Sequence, residues 1–448
     1  MQKKTTTKGK QSPRIKPELP GGFRDYGPED AIARRIMIRT IETAFEDFGF
    51  DPMETPAAER TEVLTGGEKE SKKMIFGLAN AGEKKSNTSL RFDLTVPLAR
   101  FIAANPEIPK PFRRYQIGPV WRGESPQAGR WREFLQADID VVGSSRIEAD
   151  ADIIATIAAT LTRIGISNVL IRINNRKILD ALPAYAAFPP KKLWDVLRVI
   201  DKRDKIGDSA MKKELTKLAG KSSMERIAAF IEPRATVRET IAAAKTMYTS
   251  NARAEEGIRE LAEIGELLGL MGVPEDNWCI DFSIVRGLSY YTGMVFETRL
   301  RDKQEIGSIA SGGRYDNLTA AFTGEKLPTV GGSIGVDRLY AALDLLGTIK
   351  KKITNVQALV MNLSDTLGRE YITLTRTLRE AGINASLYLG DDRAFQAQLA
   401  SALKKGIPFV VILGDEEKKK GVVAIKNLAT RQQQEIPKAD LVKYFKKI

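Results

Sequence analysis

"RRYQIGPVWRGESPQAGRWREFLQADIDVVG", residues 113–143, sets two alternating runs on either side of a loop holding Gly123, Pro126 and Gly129, the pattern of a long-looped antiparallel hairpin. In the second run Leu135, Ala137, Ile139 and Val141 fall on one face, and Phe134, Gln136, Asp138 and Asp140 on the other. In the first, Tyr115, Ile117 and Trp121 oppose Arg114, Gln116 and Arg122. One face reads as core and the other as strongly polar; on a lone hairpin such a polar face is ordinarily solvated. Here the loop adds Arg130 and its base adds Arg122 and Glu124, while no G-x-x-x-x-G-K phosphate loop occurs elsewhere.

The chain around this hairpin has 448 residues, too many for one hydrophobic core, so two or three domains are expected. Lys and Arg number 70 against 57 Asp and Glu, a balance of +13 that suits a polyanionic partner such as nucleic acid. No apolar run approaches the length of a bilayer span, so neither membrane nor secretory signal is expected and the default location is cytoplasmic. The single cysteine, Cys279, excludes an internal disulfide and a Cys-cluster metal site, and is expected to be a small buried hydrophobe. Histidine is absent, which excludes it as general base, nucleophile or metal ligand. Chemistry then falls to Arg, carboxylates, Tyr, backbone dipoles or the substrate itself.

Residues 1–18 form a basic tail expected to be disordered. From Pro28 the chain predicts a long amphipathic helix bearing Ile32, Ile36, Ile41, Phe45 and Phe48 behind Glu29 and Asp30, closed by Gly49. "DPMETPAAE" is a short extended segment whose Pro56 belongs at an edge or interface. Residues from about 88 to 142 read as strand-like, 175–270 as successive helices forming an inserted domain, and 277–336 again as strands with glycines. A Lys-rich linker, 346–354, precedes a small α/β domain over 355–448. "SGGRYDNL" (311–318) and "PTVGGSIGVDRLYAAL" (328–343) supply glycine pairs and a strand running into a helix with Arg338 in its first turn. Such pairs mark a tight turn or bulge, or let a flat ligand or phosphate chain approach the backbone.

Taken in order, the long helix and Pro-containing strand, "VWRGE…GRWREF" and "GGSIGVDRL" resemble motifs 1, 2 and 3 of the class II aminoacyl-tRNA synthetases. "RGLSYYTGMVFE" (286–297), "SGGRYDNL" and "LRFDLTVPLARFIAAN" (90–105) resemble segments peculiar to the histidyl-tRNA synthetase family. The likeness runs from about residue 18 to the C-terminus.

It implies an α+β catalytic domain with an antiparallel sheet over 19–174 and 271–345, the helical insertion over 175–270, and an anticodon-binding α/β domain over 355–448. The implied substrates are L-histidine, ATP with Mg2+, and tRNA(His), in a homodimer paired through residues 29–48 and the Pro56 strand. By the same resemblance Arg122 holds the α-phosphate from one side and Arg286 from the other. Arg130 and Arg338 clamp the outer phosphates, Glu124 helps to hold Mg2+, and Gln127 contacts tRNA. Asp93 and Thr95 hold the α-amino group with Gln136 beside them, and Asp140 hydrogen-bonds the imidazole, with Tyr291 on its other side and Tyr290 in support. A pocket that reads a polar ring by hydrogen bonds needs no editing domain, which favours tRNA contact for the insertion.

Two positions depart from the family pattern: Ser289 replaces the usual Asp, and Asp140 is one methylene shorter than the common Glu. The missing histidines suit an enzyme purged of its own substrate, whether naturally or by deliberate engineering. A catalytically inactive regulatory subunit or tRNA sensor is the alternative, weakened here by retention of Arg122, Arg130, Arg286 and Arg338.

Overall fold

A computed structural model describes residues 15–66, 74–80, 82, 87–124, 131–285, 290–349 and 351–447. These cluster into two compact units, one within 1–25 and 39–347 and the other within 26–38 and 348–448. No helix among the described residues is long and apolar enough to cross a membrane.

The chain opens with α1 (Pro28–Asp47), whose first half, to Ile38, clusters with the smaller unit and whose remainder belongs to the larger. Its buried stripe is Ala33, Met37, Ile41, Ala44 and Phe45, at helical spacing. Ile36 falls outside that stripe and is 48% exposed, a correction to the sequence reading. Next come β1 (Asp51–Pro52), β2 (Ala58–Arg60), α2 (Thr61–Thr65), β3 (Gly77–Leu78) and β4 (Thr88–Leu90). The stretch read as strand-like from 88 to 142 is interrupted by α3 (Thr95–Ala104). Pro97 is compatible with that helix because the first turn needs no N–H from it, and Asp93 Oδ1 accepts the Val96 N–H at 3.0 Å.

The hairpin of residues 113–143 is present as β5 (Phe112–Trp121) and β6 (Glu133–Val142), antiparallel with Arg114 opposite Asp140 and Gln116 opposite Asp138. After α4 (Ile147–Ile164) and β7 (Val169–Asn175) the chain is helical: α5 (Arg176–Ala186), α6 (Leu193–Asp201), α7 (Arg203–Ala219), α8 (Lys221–Phe230), α9 (Val237–Met247) and α10 (Ala252–Leu270). Then follow β8 (Trp278–Ile280), β9 (Met294–Leu300), β10 (Ser308–Arg314), α11 (Ala320–Thr323), β11 (Thr329–Gly335) and α12 (Val336–Leu345). Cys279, on β8, is half-buried and free rather than fully buried.

Eight of these strands form one sheet in the order β1-β5-β6-β11-β10-β9-β7-β8. Its interior ladders are antiparallel, and the outermost pairs at each edge, β1 with β5 and β7 with β8, are parallel. The glycine pairs lie in mid-strand, not at turns. A Cβ on Gly312 or Gly332 would meet the Phe296 ring at 2.6 or 3.0 Å, on the face where Ile153 and Ile157 of α4 pack. A Cβ on Gly313 would meet Tyr291 at 2.9 Å, and one on Gly331 would meet Asp140 at 1.8 Å, on the opposite face. Each pair thus makes room for one core aromatic and for one polar side chain.

The smaller unit carries a five-stranded sheet, β13-β12-β14-β15-β16, built from β12 (Ala358–Val360), β13 (Ala385–Leu387), β14 (Phe409–Ile412), β15 (Val422–Asn427) and β16 (Gln433–Pro437). β12, β13 and β14 are parallel, and β15 and β16 add antiparallel. Alternate strand residues feed two cores: Val360, Val411 and Ile425 pack with Tyr371, Leu374 and Leu378 of α13 (Gly368–Glu380), while Leu359, Val410 and Ala424 pack with Ala402 of α14 (Phe395–Lys404). Both faces are therefore covered, as parallel strands require.

Candidate active site

On the face of the large sheet away from α4 lies a cavity of about 520 Å³. It gathers Asp93, Thr95, Arg122, Glu124, Gln136, Asp140, Tyr290, Tyr291 and Arg338, nine of the residues singled out from sequence, drawn from segments up to about 245 positions apart. Arg286, Arg130, Gln127 and Ser289 lie outside the described residues.

The polar hairpin face is buried rather than solvated. Gln136, Asp138 and Asp140 are 8%, 3% and 3% exposed, and Arg114 opposite them is fully buried. Arg114 Nη2 lies 2.5 Å from Asp140 Oδ2, and its other anchor is the Leu94 carbonyl at 3.3 Å. The Tyr315 hydroxyl donates to Asp140 Oδ1. Burial pushes the Asp140 carboxyl up, opposed by Arg114 and the Tyr315 hydrogen bond. Asp138, which makes no ion pair among the described residues, is pushed up to about 7, chiefly by burial, with the charge of Arg114 pulling the other way and Asp140 adding to the rise. Burial also raises Asp93, against the backbone N–H of Val96 and the charge of Arg122.

Tyr290 and Tyr291 pack with ring centroids 4.4 Å apart and hydroxyls at 3.3 Å. Tyr290 is 41% exposed at the mouth, whereas burial holds the Tyr291 phenol far above its ordinary value. Tyr291 fits where residue 313 has no side chain. The chain entering this segment is tied down by Arg172 on β7, which donates to Asp281 at 2.8 Å and to Ser283 at 2.9 Å.

At the other end, Arg122 Nε donates to the Phe92 carbonyl at 3.1 Å with its guanidinium 5.0 Å from the Phe134 ring centroid. Arg338 rises from the first turn of α12 and donates to the Ser308 carbonyl. Between them Asp337 accepts the Leu135 N–H at 2.6 Å and bonds Arg24 at 3.2 Å, fastening α12 to β6. The cavity is thus polarised: buried carboxylates, an amide and phenols at the Asp140 end, fixed cations at the Arg122 end. A ligand with a cationic head and an anionic tail is complementary to it.

Sequence reasoning omitted Arg114, Asp138 and Tyr315 from the site. The alternation along β5 and β6 had already placed Arg114 and Asp138 on its face, and Tyr315 stands inside "SGGRYDNL"; the missing knowledge was that this face is enclosed. Among the described residues no three or more His, Cys, Asp or Glu side chains are grouped to hold a metal ion.

Comparisons with known proteins agree with this geometry. A family model described as histidyl-tRNA synthetase matches residues 22–339, and one described as an anticodon binding domain matches 357–448. The chain is 39% identical to a histidine-tRNA ligase of Clostridium tetani, over 96% of this chain and 98% of that one. It is 40% identical to a histidine-tRNA ligase of Wolinella succinogenes, with 94% and 95% covered. The crystal structure of histidyl-tRNA synthetase from Nostoc sp. PCC 7120 superposes with a TM-score of 0.87 at 35% identity, covering 97% of this chain and all of that one. A polarised cavity on a largely antiparallel sheet, in a chain matched from end to end in this way, leads to one conclusion: the protein belongs to the histidyl-tRNA synthetase family.

Proposed function

We propose that the chain activates L-histidine with ATP and transfers it to the 3′ end of tRNA(His), as a histidine-tRNA ligase. The observation that carries the reading is the convergence of Asp93, Thr95, Gln136, Asp140 and Tyr291 with Arg122 and Arg338 around one cavity. A substrate carboxylate oxygen attacks the α-phosphorus of ATP, the bond to the β-phosphate bridging oxygen breaks, and pyrophosphate leaves with the electron pair. A terminal ribose hydroxyl of tRNA then attacks the acyl carbon, its proton is lost, and AMP departs. Neither step needs a histidine side chain of the protein or a protein nucleophile, in keeping with the composition.

Arg122 and Arg286 hold the α-phosphate in this reading, and Arg130 and Arg338 the outer phosphates. Arg122 and Arg338, each held by a backbone carbonyl, can stabilise charge developing at phosphorus without reorganising. Glu124 would help to hold the Mg2+ that accompanies ATP, its other ligands being phosphate oxygens and water, and the ion would neutralise phosphate charge there. Asp93, Thr95 and Gln136 take the α-ammonium, and Asp140, aided by Tyr290 and Tyr291, takes the imidazole. Gln127 and the helices of 175–270 contact tRNA, and residues 355–448 read the anticodon. A cytoplasmic homodimer paired through α1 and the segment around Pro56 completes the reading.

The deciding measurement is ATP-pyrophosphate exchange with each standard amino acid, followed by charging of tRNA(His). Exchange that depends on histidine is expected; exchange with a different amino acid, or with none, would overturn the assignment.

A further inference from the structure

Gln136 and Asp138 project from alternate positions of β6 into the cavity. The Gln136 amide donates from Nε2 to Ser333 Oγ at 2.7 Å and to Asp138 Oδ1 at 3.4 Å. With Nε2 committed, Oε1 is buried and has no hydrogen-bond partner among the described residues. A buried acceptor is costly to leave unmade and calls for a donor supplied by a ligand.

The charges make the same demand. Asp138 is 3% exposed and makes no ion pair among the described residues, because the Arg114 salt bridge goes to Asp140. The other nearby guanidiniums are held by carbonyls: Arg91 donates to Pro119 and Thr55, and Arg122 to Phe92. Burial accordingly pushes the Asp138 carboxyl far up its range. Among the described residues no cation is ion-paired to this carboxylate, although the charges of Arg114 and Arg91 are felt there.

We propose that Asp138 is a further specificity-determining residue, one that recognises the substrate's α-ammonium in two ways. Its carboxylate fixes the Gln136 amide so that Oε1 faces the ligand, and with Asp93 it supplies the negative charge over which the ammonium rests. The inference builds on the reading of this cavity as the amino-acid site. It separates two carboxylates two residues apart on one strand: Asp140, already salt-bridged and bonded to Tyr315, serves the ring, and Asp138 serves the ammonium.

The test uses the full chain and its Asp138→Asn and Ser333→Ala variants. Calorimetry would compare L-histidine with imidazole-4-propionate, which keeps the ring and carboxylate and lacks the ammonium. Asp138→Asn should weaken histidine binding about 10- to 100-fold, the range of a charge-assisted hydrogen bond, and leave the propionate unchanged. In pyrophosphate exchange its histidine KM should rise while the ATP KM stays. Ser333→Ala, which frees the same amide, should give the same selective loss about 3- to 10-fold in size and decides the matter should Asp138→Asn not fold. Unchanged histidine binding, or equal weakening of both ligands, would overturn the inference. Wild-type protein that binds histidine and catalyses no exchange would instead overturn the enzyme assignment alone.

Discussion

Asp140 lies directly across the ladder from Gly331, and a Cβ on residue 331 would fall 1.8 Å from its Oδ1. Asp140 cannot swing aside without abandoning Arg114 and Tyr315. Gly331→Ala should therefore displace the carboxylate by an ångström or more and lower kcat/KM for histidine about 100-fold. Because the residue sits within an eight-stranded sheet, circular dichroism should report an intact fold. Unchanged kinetics in the alanine variant would show that the carboxylate has room to move.

Tyr315→Phe removes the hydroxyl that donates to Asp140 and leaves the ring in place. Loss of one hydrogen bond to the charged form should push the Asp140 pKa higher still and raise the histidine KM about 10-fold. The deficit should be larger at pH 6.5 than at pH 8.5, since the ionised carboxylate is harder to keep at the lower pH. Steady-state exchange kinetics at the two pH values would check it.

Asp138→Asn should stabilise the protein even as it impairs histidine binding. An acid with a folded pKa of about 7 and an unfolded value of about 3.9 binds more protons when folded, so the stability it contributes falls as pH rises between those values. The asparagine variant escapes that loss. Its melting temperature should exceed wild type by several degrees at pH 8, for a gain of up to about 4 kcal/mol, and the gain should shrink progressively towards pH 4. Thermal melts across that range would test both the sign and the window.

Arg314 fastens β10 to α4 through Asp150: Nε lies 3.1 Å from each carboxylate oxygen, and Nη1 reaches the Ser144 carbonyl at 2.9 Å. Burial nonetheless raises Asp150 to about 6, against the opposing pull of Arg314. Arg314→Met leaves a buried carboxylate uncompensated and should cost roughly 3–5 kcal/mol. The folded pKa of Asp150 would climb further above its unfolded value, so the loss should be greatest above pH 7 and smaller near pH 5. Denaturant midpoints of the single variant and of Arg314→Met with Asp150→Leu should show partial recovery in the pair.

Local spacing carried much of the site. The β5–β6 hairpin, the first-turn position of Arg338 and the run of helices from 176 to 270 follow from periods of 2 and 3.6 that neighbouring residues impose on each other. Where the reading failed, the competing term was equally local and went unweighed: α3 forms because Asp93 caps it and Pro97 sits in the first turn, although flanking residues are strand-like.

By itself the chain determined which residues share a face, because alternation along a strand is fixed by backbone geometry, and it determined that no histidine side chain of the protein takes part in the chemistry. Tertiary structure decided what that face meets. Tyr315 reaches Asp140 across 175 positions and Arg314 reaches Asp150 across 164, and no period of 2 or 3.6 reports such partners. It also decided that the hairpin's polar side is closed off from water, that the glycine pairs yield space to Phe296, Tyr291 and Asp140, and that two aspartates two residues apart differ in charge environment. Desolvation and ion pairing depend on every group within a few ångströms, and those groups are assembled only when the sheet closes around them.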